Sequence, residues 1–201
     1  MKPPFRLEFA FSRSYELRVL GSLPPVHPIE KLHHYPVELE EGDRTGAYLR
    51  FEPKQGQAWY GFFALGFESD RMIHAAYSCP DPHSACVVVG GYAYIVKATD
   101  PTRWFQLEQR PVVEIRALPD LDLLLFAGFT TITALGRDGL AWTTQRLSWE
   151  GIAITEIKGE KLHGLAWDAR TDEEVPFEVD LRSGESSGGA RPGLSSGARR
   201  T

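Results

Sequence analysis

Val113-Glu-Ile-Arg-Ala-Leu118-Pro-Asp-Leu-Asp-Leu-Leu-Leu-Phe-Ala127-Gly-Phe-Thr-Thr-Ile-Thr-Ala-Leu135-Gly-Arg-Asp-Gly-Leu-Ala-Trp142 is the stretch that decides the fold. Its apolar runs are too short for helices and are bounded by turn residues, which predicts strands at Val113–Leu118, Leu121–Ala127, Thr130–Leu135 and Leu140–Leu147. Asp138-Gly139 supplies the positive-φ residues of a tight hairpin. The same sentence is written on either side. Ile73–Ser78, Val113–Leu118 and Ile152–Ile157 begin roughly 40 residues apart, a period that marks a repeated supersecondary unit. Each leads to a glycine with more strand sequence, at Gly91-Tyr-Ala-Tyr-Ile-Val, Gly128-Phe-Thr-Thr-Ile-Thr-Ala and Gly164-Leu-Ala-Trp-Asp-Ala, and an aromatic follows at Trp104, Trp142 and Phe177.

Working outward, the first repeat predicts strands at Ile73–Ser78, Ala85–Val89 and Tyr92–Lys97; Asp100-Pro101 is also a good helix start, but Trp104-Phe105, lying where Trp142 lies in the next repeat, favours a fourth strand. The third predicts Ile152–Ile157, Leu162–Asp168 and Val175–Leu181, turned at Lys158-Gly159 and Thr171-Asp172. Before the repeats, Phe5, Leu7, Phe9 and Phe11 alternate with polar residues, and Tyr15–Leu20 repeats the alternation, which predicts a hairpin about Ser12–Ser14. Gly21 to Pro28 is a proline-rich loop. Residues 29–35, set between Pro28 and Pro36, predict a short helix with proline at its first position. Val37–Glu40 and Ala47–Phe51 predict short strands, and Trp59–Phe67 is so apolar that it is expected to be buried on both faces or to lie at an interface. After Arg182 the composition falls to Ser, Gly, Ala and Arg, as in disordered segments. The expected organisation is one all-β domain over 1–182, with N-terminal strands in 3–67 and three meander repeats in 73–181, followed by a disordered tail over 183–201.

Repeats of this length, with a turn glycine and a late aromatic, resemble the blades of β-propellers; Leu125 through Trp142 is similar in rhythm to a quinoprotein-type blade, and Trp167-Asp168 is similar to the dipeptide of another propeller family. The resemblance covers about 110 residues and implies antiparallel four-stranded meanders. Propellers usually need at least four blades and three are counted, so the expected fold is all-β, either an incomplete propeller-like arrangement or an open sandwich-like or barrel-like one. No functional residue carries over.

Composition narrows the function. The 201 residues are 42% hydrophobic, enough for a real core. Residues 1–181 carry 18 basic and 26 acidic side chains, and an acidic body without a basic stripe argues against nucleic acid. No apolar run is long enough for a membrane span or a secretory signal, so a cytoplasmic protein is expected. The absence of Asn and the sixteen Arg against six Lys fit a GC-rich bacterial genome. Cys79 and Cys86 bracket a short loop; they read as reduced, buried small hydrophobes, with a reversible redox pair or a metal half-site with His83 as the alternatives.

Candidate chemistry is sparse. Glu30 and His34 have helical metal-ligand spacing beside His33, but a solvated role is expected. His74 and His163 occupy related positions of the repeat and are candidates for a convergent ligand site. Trp59-Tyr60, Trp104-Phe105, Trp142 and Trp149 fall near strand ends, where an exposed cluster would form a hot spot. Gly184-Glu-Ser186-Ser-Gly188 matches a hydrolase elbow formally, yet sits in the tail, where that strained turn is not expected. There is no P-loop, Gly-x-Gly-x-x-Gly, His-Glu-x-x-His or Cys-x-x-Cys, and no catalytic residue, metal or cofactor is assigned. The leading expectation is a non-enzymatic interaction module that binds a protein partner or its own copy. The rivals are an enzyme or small-molecule binder with a site where the meanders converge, and an acidic inhibitor or immunity-type protein.

Overall fold

The computed structural model describes residues 5–24, 29–37 and 45–190. Strands β1 (Arg6–Glu8), β2 (Tyr15–Leu20), β3 (Leu32–Tyr35), β4 (Gly46–Pro53), β5 (Trp59–Ala64), β6 (His74–Ser78), β7 (Ser84–Val89), β8 (Tyr92–Lys97) and β9 (Asp100–Gln106) make up the first half. The second half holds β10 (Glu114–Leu118), β11 (Leu123–Ala127), β12 (Ile132–Gly136), β13 (Gly139–Thr143), β14 (Ile152–Lys158), β15 (Lys161–Asp168), β16 (Glu173–Asp180) and β17 (Ser186–Gly188). Among the described residues the helical element is one 3-10 turn, Pro119–Leu121.

These strands form four sheets. In chain order, sheet I is β2-β4-β5-β3, sheet II β1-β6-β7-β8-β9, sheet III β10-β11-β12-β13 and sheet IV β14-β15-β16-β17. Sheets III and IV are pure antiparallel meanders. Sheet II is a meander extended by β1, which pairs parallel to β6. The β7–β8 turn is Gly90-Gly91, both at positive φ (62° and 76°), the backbone a two-residue hairpin requires and that glycine alone adopts without cost.

The sheets pack face to face as an open stack, and no sheet among the described residues closes into a barrel. Three buried clusters fill the gaps: Tyr15, Phe51, Trp59, Phe63, Val87 and Tyr94 between sheets I and II; Ala75, Val88, Ile95, Leu124 and Phe126 between II and III; Leu125, Ile132, Leu162, Phe177 and Val179 between III and IV. Period-2 alternation accounts for this. Along β11 every residue is buried, because Leu124 and Phe126 face sheet II while Leu123, Leu125 and Ala127 face sheet IV.

The first gap is also stitched by hydrogen bonds from aromatic tips to carbonyls of the facing sheet: Tyr15 Oη to Ser84 O (3.0 Å), Tyr35 Oη to Pro101 O (2.8 Å), Trp59 Nε1 to Ala98 O (2.7 Å) and Tyr94 Oη to Ala64 O (2.9 Å). Large rings thereby fill the gap while their polar ends stay satisfied. Trp142 Nε1 does the same across the third gap, to Leu181 O (2.9 Å).

Several expectations need correction. Residues 32–35 are a strand, not a helix: β3 lies parallel to β5, with Leu32 opposite Tyr60 and Tyr35 opposite Phe63. The long-range ladder overrides the local proline signal. The two N-terminal strands do not form a hairpin, since β1 joins sheet II and β2 pairs with β4 in sheet I. Of the two alternatives for the apolar segment from Trp59, burial on both faces holds along β5, which lies between β4 and β3 and offers no edge for pairing. Residues 183–190 are ordered: β17 pairs with β16, and Ala190, only 1% exposed, donates its N–H to Leu147 O (2.7 Å). Ser186 thus sits on an edge strand, not on an elbow. Glu38–Glu40 of the predicted Val37–Glu40 strand and residues 191–201 of the predicted tail lie outside the described residues.

Candidate functional site

Sheets II and III diverge toward their outer strands. The middle of the gap is closed by Ala75, Val88, Ile95, Leu124 and Phe126; at one edge a cavity of ≈ 640 Å³ lies between β1, β6 and β10, and at the other β9 and β13 carry exposed or half-buried residues. The divergence opens a cleft of ≈ 720 Å³. Ile95, Phe105 and Leu135 supply apolar wall, and Lys97, Arg103 and Arg137 supply cationic rim, with Asp81, His83 and Asp138 at its ends. Phe105 lies opposite Ile95 in the β8–β9 ladder and therefore faces sheet III, leaving it 36% exposed in the opening.

A polar network holds the floor. The Asp81 carboxylate accepts from Ser84 Oγ (2.6 Å) and the His83 amide (3.1 Å), and forms an ion pair with Lys97. Burial alone would raise this carboxyl, but the bonds from Lys97, Ser84 and His83 together hold it below its usual value. His83 Nδ1 meets Ser14 Oγ at 2.6 Å, and the Ser14 amide donates to Pro82 O (2.8 Å), so the chain between β1 and β2 clasps the β6–β7 loop. Arg137 lies 3.5 Å from Asp122, both well exposed, a pair of little intrinsic strength.

On the other face of β9 lies a second groove of ≈ 420 Å³, lined by Leu32, His33, His34, Tyr35, Val37, Pro101, Thr102 and Trp104. Trp104 stands edge-on to Tyr35 (5.3 Å, 73°), which stacks on Phe63 (4.7 Å, 17°). His33 is edge-on to Trp59 (5.7 Å, 82°), and burial, helped by Lys31, lowers its pKa. Thr102 and Trp104 border both cavities, so β9 is the wall between them.

The residues singled out from sequence do not gather into one patch. Trp59 and Tyr60 are buried on opposite faces of β5, the first bonded to Ala98 O and the second under the Arg50 guanidinium (5.9 Å). Trp142 anchors sheet III to sheet IV, and Trp149 is half-buried with the Arg146 guanidinium 5.5 Å from its ring. Trp104 alone of the five lines the cleft. His74 on β6 borders a pocket with Phe5, Leu65 and Val89, while His163 on β15 lies 3.7 Å from Glu178. Sheet III separates their sheets, so the two histidines do not converge. His33 and His34 point to opposite faces of β3, and Glu30 pairs with Arg50 (2.8 Å) instead of sharing an ion with His34.

Cys79 and Cys86 are free, fully buried thiols on the sheet III side of sheet II. Burial pushes both thiols well up, and a protonated, buried thiol is a poor nucleophile. Among the described residues no group of three or more His, Cys, Asp or Glu side chains is placed to hold a metal ion, and no helix is long and apolar enough to cross a membrane. The cleft cations Lys97, Arg103 and Arg137 were not apparent from sequence, because single cations on strands read as solvated faces. A signal was present: Lys97 and Arg103 flank the last hairpin of the first repeat, and Arg137 lies in the turn of the corresponding hairpin of the second. The chain matches no protein-family model and no curated protein.

Proposed function

We propose that the protein is a non-catalytic binding module that holds an acidic segment of a partner protein in the cleft between sheets II and III. The observation that carries this reading is the cleft itself: ≈ 720 Å³ with an apolar wall, where Arg103 and the exposed Arg137 stand beside a Lys97 paired to Asp81, and the cations outnumber the carboxylates Asp81 and Asp138. Its groups are arranged to hold more than to react. Asp81 is saturated by three donors, so it is not poised as a general base. Within an acidic chain, a local cationic rim selects for partners of opposite charge by steering and by contact. Two free, buried thiols suit a reducing cytoplasm.

The test is selection from a random heptapeptide phage library on the wild-type protein, with the winning peptides resynthesised. They are expected to be acidic and to lose at least tenfold in affinity for Phe105→Asp and Arg137→Glu, both altered at exposed cleft positions. Winners that bind the two variants as well as wild type would overturn the reading. Binding of small aromatic acids by the cleft, with no peptide selected, would favour a small-molecule site, whose volumes of about 300–1,000 Å³ include this one.

A further inference from the structure

Strand β9 is the edge of sheet II, and cavities lie on both of its faces. Its N-terminal half is blunted by Asp100, Pro101 and Arg103, as edges that avoid pairing commonly are. The C-terminal half is different. Leu107 donates its N–H to Ala93 O (3.0 Å), and the register sets Phe105 opposite Ile95 and Trp104 opposite Val96. Because inward and outward groups alternate along an antiparallel edge, Leu107 and Phe105 bond into the sheet. The N–H and C=O of Trp104 and Gln106 then point outward, and among the described residues no backbone group bonds to them.

Resting on the reading of the cleft as a partner site, we propose that the partner segment binds as an added β-strand along Trp104–Gln106, with alternate side chains entering the two cavities. Strand addition uses main-chain bonds for affinity and pockets two residues apart for specificity. The two cavities differ in chemistry. Side chains on one face meet Lys97, Arg103, Arg137 and Phe105; those on the other meet His33, Tyr35 and Trp104. The fitting segment therefore alternates acidic with apolar residues. A second copy would bring its own β9 to this edge, with Pro101 and another Arg103 against the cationic rim, so charge complementarity selects a separate acidic segment. A segment of about seven residues, roughly 23 Å of strand at ~3.3 Å each, matches the length of β9.

The probe is the capped peptide Glu-Val-Glu-Val-Glu-Val-Glu, compared with its Lys-Val counterpart and with a version N-methylated at alternate residues, all added to the full chain. Binding is followed by titration and by amide hydrogen exchange. The Glu-Val peptide is expected to slow exchange at Trp104 and Gln106 at least tenfold, and to lose at least tenfold in affinity on N-methylation at the register facing β9. The Lys-Val peptide is expected not to bind. Equal affinity of the N-methylated peptide, or binding without protection of Trp104 and Gln106, overturns strand addition and leaves the cleft reading standing. No Glu-Val binding, together with library peptides indifferent to Phe105→Asp and Arg137→Glu, removes both. Protection at Trp104 and Gln106 that rises with protein concentration in the absence of peptide assigns the edge to a second copy and overturns the peptide proposal. Because the N-methyl group is placed on the ligand, folding of the protein is never at issue.

Discussion

Replacing Tyr15 by Phe and, separately, Tyr35 by Phe removes the same hydroxyl from two bonds that cross the same gap in different surroundings. Tyr15 is fully buried, its bond to Ser84 O is buried, and Ser84 is 6% exposed. Removing the hydroxyl leaves a carbonyl lone pair away from water, a loss near the middle of the range for a buried unsatisfied group, about 2 kcal/mol. Tyr35 is equally buried, but its acceptor Pro101 lies at a half-buried strand end lining an open groove. Water can take the lost donor's place there, which brings the cost down to about 1 kcal/mol. Ring packing is retained in both, including the stacking of Tyr35 on Phe63. For a domain of this size, each kcal/mol lowers Tm by roughly 2–4 °C. Urea unfolding followed by tryptophan fluorescence, with unchanged m-value, is the assay, and Tyr15→Phe is expected to lower the midpoint about twice as far. Equal losses, or a larger loss for Tyr35→Phe, would refute the argument that burial of the acceptor sets the cost.

Other outcomes follow from single contacts. Gly164→Ala places a Cβ 2.3 Å from the Phe177 ring and 2.6 Å from Ala153 O; one neighbour is backbone, so the loss is expected to exceed about 1 kcal/mol by urea midpoint. Acid stability has two separable parts. Asp81 titrates below its usual value in the fold, so its contribution is complete above about pH 4 and is lost as pH falls through the lowered native pKa; Asp81→Asn is expected to flatten that limb. His33 resists protonation in the fold, so the unfolded chain binds more protons just below about pH 6.5 and stability falls with pH from there; His33→Gln is expected to remove that slope in the urea midpoint measured against pH. The Arg103→Glu, Arg137→Glu double variant reverses two exposed rim charges, and should abolish Glu-Val peptide binding while leaving the urea midpoint within about 0.5 kcal/mol of wild type.

Sequence legibility tracked how local the signal was. Strand β8 has the limits that local alternation and flanking turns predict, Tyr92–Lys97; the β12–β13 hairpin also forms, but its turn is Arg137-Asp138 and the positive φ falls at Gly139 alone, not at Asp138-Gly139 as a pair. Pairing between distant segments left no such trace. Alternation around Leu7 marks a strand but does not say that its partner is Ala76 in β6, and the proline-flanked Leu32–Tyr35 segment becomes a strand only because β5 offers it a ladder. The tail looked too polar to order, yet Asp180 accepts from the Ser183 amide (3.0 Å) and Gly184 donates to Asp180 O (2.8 Å), a local turn that returns β17 to β16. For the site, aromatic residues drew attention while the cations did not. Two of those rings, Trp59 and Trp142, serve as inter-sheet anchors, and the cleft exists only where strands far apart in sequence diverge.

The most direct test of the central claim is an amide chemical-shift titration of the protein with the tightest acidic peptide from the library. The account predicts shifts concentrated at Lys97, Arg103–Phe105 and Leu135–Gly139, on the two walls of the cleft. Shifts clustered instead around Leu165 and Trp167 on the outer face of sheet IV, with the cleft unmoved, would contradict it.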